Sequence, residues 1–270
     1  MRSIGISLLF LLVFTCTANG QNIRFKSAQR VTQIGVADPA MFDELMVLVP
    51  EIGSHSRNVL ERQNLKPFMM PIREIGFRGD DMCYTLTSCL EYYLNLKKNY
   101  KINLSPDYIS LSMAANGKAL NAKDILTYMI KDGTVNAAIL PYDAGEITNA
   151  VFATQKYKIN NYLYLFNASS KSLQKEFETK KALIRGNPVI IELMADEGVL
   201  TFREHEWGPA RQGNYRFAFI VVGFDESTKT FELRSNFGSD WANNGYISID
   251  YNTFSQLATN GYVMVPEEYY

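Results

Sequence analysis

A change of hydrophobic period at Gly186-Asn187-Pro188 limits what this chain can fold into more than any other feature. Before it, apolar residues recur at helical spacing; after it, they gather in short stretches that read as strands. Cys83 to Lys98 puts Leu86, Leu90, Tyr93 and Leu94 on one stripe. Leu104-Ser105-Pro106 opens a second helix, with Ser105 at the N-cap and Pro106 at the first helical position. Ala122 to Lys131 is a third helix, stopped by Asp132-Gly133, and Leu173 to Arg185 a fourth. Val189 to Leu193, Phe217 to Phe224, Phe231 to Arg234 and Tyr246 to Ile249 follow as strands. Helices first and antiparallel strands second predict an α+β chain of two lobes.

Charge and composition narrow the partners. With 27 Lys+Arg against 28 Asp+Glu, and no dense basic cluster, neither nucleic acid nor an anionic membrane is expected as the main partner. Arg2, the apolar run Leu8 to Phe14, and the small residues Ala18 and Gly20 predict a secretory signal peptide over 1–20. The run is too short for an ordinary transmembrane helix, so the mature chain is expected to be secreted or periplasmic. Residues 21–62 read as an N-terminal extension with an apolar cluster at Met41-Phe42 and Leu45 to Val49. The main domain follows over 63–270, with a helical lobe at about 80–170 and a β lobe at about 171–265.

The chain has three cysteines and two histidines, which leaves little room for metal or acid–base chemistry. Cys16 falls in the leader. Cys83 and Cys89 stand six apart in a helical stretch, roughly 240° around the axis, so two free thiols are expected rather than a disulfide. The Asp80-Asp81 pair precedes the first helix without a third ligand at useful spacing, and is assigned to capping rather than metal. No metal and no cofactor is expected, since neither a Gly-rich phosphate loop nor a Gly-x-Ser-x-Gly elbow is present.

From about Pro67 to Val265 the order of landmarks resembles the papain-like cysteine peptidases. Cys83-Tyr84-Thr85-Leu86-Thr87 resembles the family's Cys-Trp-Ala-Phe-Ser at the start of its central helix. Gly186-Asn187-Pro188-Val189 resembles the Gly-Pro-Val entry to the second lobe. Phe217-Ala218 with the apolar strand to Gly223-Phe224 resembles His-Ala followed by Val-Gly-Tyr. Ser235-Asn236-Phe237-Gly238, Trp241 and Asn244-Gly245-Tyr246 resemble Asn-Ser-Trp-Gly-x-x-Trp and Asn-Gly-Tyr. The resemblance implies a two-lobe fold, with a central helix starting at Cys83 and an antiparallel, barrel-like β lobe.

In that family a helix dipole lowers the cysteine's pKa and a histidine from the other lobe pairs with the thiolate. An asparagine orients the histidine, and a glutamine six residues before the cysteine supports the oxyanion. On this sequence the resemblance puts Cys83 at the nucleophile, Phe217 at the histidine, Ser235 at the asparagine and Phe77 at the glutamine. Three of four positions have lost their chemistry. The expected protein is therefore a catalytically degenerate homologue that binds a peptide or protein in the cleft, lined by Arg78, Tyr84, His205 and Trp241. The alternative is a peptidase in which Cys83 works with a non-standard base, His205 or, from the extension, His55.

Overall fold

The computed structural model describes residues 33–53, 56–96, 98, 100–208 and 213–267. The expected leader, the first part of the extension and His55 lie outside them. Two short helices, α1 (Pro39–Leu45) and α2 (Arg57–Glu61), and a short strand, β1 (Arg62–Asn64), come first. Helices α3 (Asp81–Asn95), α4 (Pro106–Ala115) and α5 (Ala122–Lys131) make the helical lobe. The chain then gives β2 (Ile159–Asn167), α6 (Ser172–Ile184), β3 (Val189–Ala195), β4 (Tyr215–Asp225) and β5 (Thr230–Arg234). Strand β6 (Tyr246–Asp250), helix α7 (Tyr251–Leu257) and strand β7 (Ala258–Pro266) complete it.

The helix starts follow from local chemistry. Side chains of Asp80, Ser105 and Asn121 accept the free amides of Cys83, Tyr108 and Asp124. Helix α3 therefore begins at Asp81, not at Cys83, because the residue that satisfies its first open amides is Asp80. Every residue of α3 from Met82 to Tyr92 is buried. A helix covered on all sides is a central one, and α3 packs on α4 as well as on β4, β7 and β3.

The seven strands form one antiparallel sheet in the order β2-β7-β3-β4-β5-β6, with β1 added to the far end of β4. Gly223 permits that last pairing, since a side chain there would meet the Gln63 carbonyl at 2.6 Å. The sheet ends at β2 and β6 rather than closing into a barrel. Val36 bridges to Leu163 along the outer edge of β2, and the segment around Glu206 bridges to Ser248 along β6, so both edges are covered. Strand β2 returns to the sheet inside the span expected for the helical lobe. Strand β7 and helix α7 were not foreseen either. Asn260-Gly261 sits within β7 but reads locally as a turn, and a seven-residue helix is too short to show a period.

The extension is part of the fold. Phe42, Met46 and Val49 are buried, and the Val49 amide donates to the Arg185 carbonyl at 2.9 Å. Asn187 Nδ2 donates to the Val47 carbonyl at 2.6 Å, and Lys181 pairs with Asp43 at 2.9 Å. Gly186, at φ +81°, lets the end of α6 turn against this segment, where a Cβ would meet Val49 at 2.8 Å. Phe42→Ala is expected to lower unfolding free energy by about 3–5 kcal/mol in urea titration. A loss below ~1 kcal/mol would show that the extension is only loosely attached.

Candidate active site

The site is built where the N-terminus of α3 meets β4. On one side Ala218 lies in register with Glu192 of β3, but on the other β5 joins only from Ile220 onward. The Ala218 amide and carbonyl thus face α3 instead of a strand. The Ala218 N–H donates to Asp81 Oδ2 at 2.6 Å, and Thr85 Oγ1 donates to the Ala218 carbonyl at 3.5 Å. Asn236, just past β5, donates from Nδ2 to Thr85 Oγ1 at 2.8 Å and accepts from Ser88 Oγ at 3.4 Å. Helical geometry explains the set, because residues at i, i+4 and i+7 share one face.

Cys83 points elsewhere. It is two residues on from Asp81, roughly 200° around the helix, and is fully buried. Its amide donates to Asp80 Oδ1 at 2.9 Å, so the N–H that would serve an oxyanion already has a carboxylate on it. Burial pushes the Cys83 thiol well above its usual range, and the charge and hydrogen bond of Asp80, then the charges of Asp107 and Asp81, push it the same way. The helix dipole is outweighed. The helical residue that faces β4 is Asp81, not Cys83, because Asp81 is the first helical residue on that side.

Phe217 and Ser235 flank this junction without polar chemistry. The Phe217 ring is 7% exposed and lies edge-on to Phe237 with centroids 6.2 Å apart. Phe237 in turn packs on Phe219 at 5.9 Å and Trp241 at 5.5 Å, and the cluster continues through Phe202 and Trp207. Ser235 is buried, donating from Oγ to the Gly245 carbonyl at 3.1 Å and accepting the Phe237 amide at 3.4 Å. Among the described residues its hydroxyl makes these two hydrogen bonds, both within its own turn.

Other expected site residues move. Six before Asp81 is Ile75, whose amide donates to the Asn236 carbonyl at 3.0 Å. Phe77 is 95% exposed. Arg78 is exposed beside it, with its amide on Asp143 Oδ1 at 2.9 Å. Tyr84 does not line the cleft; it is buried in the helical lobe with its hydroxyl on Asp107 Oδ2 at 3.1 Å. Trp241 is likewise a core residue, donating Nε1–H to the Val199 carbonyl at 2.6 Å. His205 is exposed, and its carbonyl accepts the Ser248 amide on the outer edge of β6, with β5 still between it and β4. Among the described residues no three His, Cys, Asp or Glu side chains stand together as a metal would need.

The missed residues, Asp81 and Ile75, had a signal in the sequence. Once Asp80 is taken as the N-cap, Asp81-Met82-Cys83-Tyr84-Thr85 falls on Cys-Trp-Ala-Phe-Ser, with a small residue on Ala, an aromatic on Phe and a hydroxyl on Ser. For the folded protein at pH 5.5 we expect iodoacetamide to leave Cys83 unmodified over hours, and to modify it promptly in 6 M guanidinium, read by peptide mass. Native-state labelling of Cys83 as fast as a free thiol would contradict its enclosure.

Known proteins agree with this architecture. The profile of the papain family cysteine proteases matches residues 83–266. The viral cathepsin of Adoxophyes honmai nucleopolyhedrovirus is 23% identical over 198 residues, 68% of this chain and 54% of that protein, so the chain spans about half the length of this relative. Xylellain, a cysteine protease from Xylella fastidiosa, superposes with a TM-score of 0.62 at 16% identity, over 90% of this chain and 99% of its own. Digestive procathepsin L 3 from the larval midgut of Tenebrio molitor gives 0.63 at 16% identity, over 86% and 76%. At such identities the structures testify to the fold alone, and the profile supplies the family: the chain belongs to the papain family of cysteine proteases.

Proposed function

We propose that this papain-family chain is an exported, non-catalytic member that binds a peptide or protein segment in the groove between its lobes. One observation carries the proposal. The helix position that faces β4 across the junction holds the Asp81 carboxylate, occupied by a backbone amide, where peptide hydrolysis by this fold needs a thiolate. Phe217 opposite it can neither accept a proton nor deliver one to a leaving amine. The exposed Phe77 ring, on the Gly76–Gly79 turn just before α3, offers an aromatic anchor of the kind that partner surfaces use. The alternative pairing of Cys83 with His205 has the enclosed sulfur and the β6-edge position of the histidine against it.

Rebuilding the site tests the assignment. The variant Ile75→Gln, Asp81→Cys, Phe217→His, Ser235→Asn should be labelled at residue 81 by an epoxide probe at pH 5.5. We expect its rate to exceed that of Asp81→Cys alone on the order of 100-fold, because an imidazolium partner creates thiolate at that pH. The wild type should show no labelling and no cleavage of a peptide substrate. Peptide cleavage by the wild type, abolished in Cys83→Ala, would overturn the non-catalytic reading.

A further inference from the structure

The fold gathers positive charge that the sequence scatters. Residues 95–106, 131–142 and 154–160 hold six lysines, no arginine and one acid, Asp132. Backbone hydrogen bonds stitch these stretches together. Thr134 and Tyr157 each donate to the other's carbonyl at 2.8 Å, and the Ala137 amide donates to the Asn103 carbonyl at 2.8 Å. They meet where α3 and α5 end. Asn95 closes α3 at the opposite end from Asp81, roughly 20 Å along the axis, so this face is separate from the candidate active site. We propose that it binds an acidic polysaccharide, whose carboxylates or sulfates meet the lysine ammoniums while one sugar ring lies on Tyr100.

Each ammonium is held in place without being neutralised. Lys101 donates to the Asn95 carbonyl at the end of α3 at 2.8 Å, and Lys158 to the Lys131 carbonyl at the end of α5. Lys98 stands 5.7 Å from the centre of the Tyr100 ring, and Lys156 donates to the Tyr108 hydroxyl at 2.8 Å. Capping explains where Lys101 and Lys158 lie, but a helix C-terminus carries only about −0.5 of a charge. Two such ends and Asp132 offset roughly two positive charges and leave most of the charge standing. Asp107, next in the chain, is buried and accepts from Tyr84, so it adds nothing to this face. Elsewhere Lys66, Lys180, Lys181 and Lys229 are matched by carboxylates. Among the described residues Lys98, Lys101, Lys131 and Lys156 form no ion pair. The rings choose among polyanions. Tyr100 is 69% exposed, whereas Tyr108 and Tyr157 are buried. One open ring suits a pyranose, whose C–H face packs on an aromatic face by dispersion. A single-stranded nucleic acid wants a row of open rings for successive bases, and phosphate recognition favours the arginine fork that these stretches lack.

Two probes test it, a hexagalacturonate carrying carboxylates and a heparin hexasaccharide carrying sulfates, each titrated into the full folded chain by calorimetry and amide NMR. At least one should bind at low salt, and which one does tells carboxylate from sulfate. Amide shifts should gather on residues 100–104, 131–134 and 156–158 and be absent from Asp81 and Ala218. Raising salt from about 50 to about 200 mM should weaken binding roughly tenfold. Lys98→Gln with Lys101→Gln should weaken it by about the same factor, and Tyr100→Ala by about threefold or more. The methyl ester of the hexagalacturonate, which has lost its charges, should not bind. Binding of neither acidic probe, a single-stranded hexadeoxynucleotide that binds as tightly as the sugar, or shifts centred on Asp81 and Ala218 overturns the proposal, as does full affinity in Tyr100→Ala. If the double variant does not fold, the shift map and Tyr100→Ala decide. None of these readouts involves the groove or peptide cleavage, so this proposal and the non-catalytic reading fail separately.

Discussion

Along the N-terminal half of β4 the backbone meets a helix where another strand would be expected, and the rest of the junction follows from how α3 answers it. A buried amide or carbonyl without a partner costs about 1–3 kcal/mol, so the bare edge at Ala218 requires both a donor and an acceptor. Asp81 and Thr85 supply them from one helix face, one turn apart, to the amide and the carbonyl of the same residue. A carboxylate accepts strongly where a thiol would accept weakly. The start of α3 thus serves as a backbone clamp on β4.

The other lobe has followed the same course. Phe217, Phe219, Phe237, Trp241, Phe202 and Trp207 make a continuous aromatic layer behind the junction. Each edge-to-face contact is worth roughly 0.5–1.5 kcal/mol beyond the area it buries. An imidazole and a carboxamide in the places of Phe217 and Ser235 would each bring buried groups that need partners. Ser235 instead uses its hydroxyl within its own turn, on Gly245 and Phe237. Rings and local hydrogen bonds in these places leave no buried polar group in want of a partner.

Much of this was legible in the sequence, and the misses have physical causes. Helices α4, α5 and α6 announce themselves through Ser105-Pro106, Asp132-Gly133 and Gly186-Asn187-Pro188, since caps and periods are local. Strands β3 and β4 are legible because their apolar runs are buried on both faces, and β5 and β6 because buried apolar residues alternate with polar ones. β2 escaped because asparagines flank and interrupt it, and β7 because Asn260-Gly261 looks like a turn when the neighbouring strand cannot be seen. The start of α3 is more instructive. The sequence points to Cys83 as the thiol near a helix start, but which residue faces β4 depends on where the helix begins, and Asp80 as N-cap puts Asp81 on that side.

What holds the groove floor is independent of the four exchanged positions. Glu91, fully buried on α3, accepts Arg73 at 2.5 Å and the Leu104 amide at 2.5 Å. Arg234, also buried, donates to the Met70 and Pro71 carbonyls at 2.7 and 3.1 Å. Such buried pairs add little net stability, since desolvation offsets most of the attraction, but they fix one arrangement over its neighbours. Here they pin residues 70–73 between the lobes. That places Glu74 opposite Phe237 and the Ile75 amide on the Asn236 carbonyl, the same Asn236 whose side chain reaches Thr85. Arg73, Glu91 and Arg234 therefore hold this segment through groups other than the side chains at 75, 81, 217 and 235.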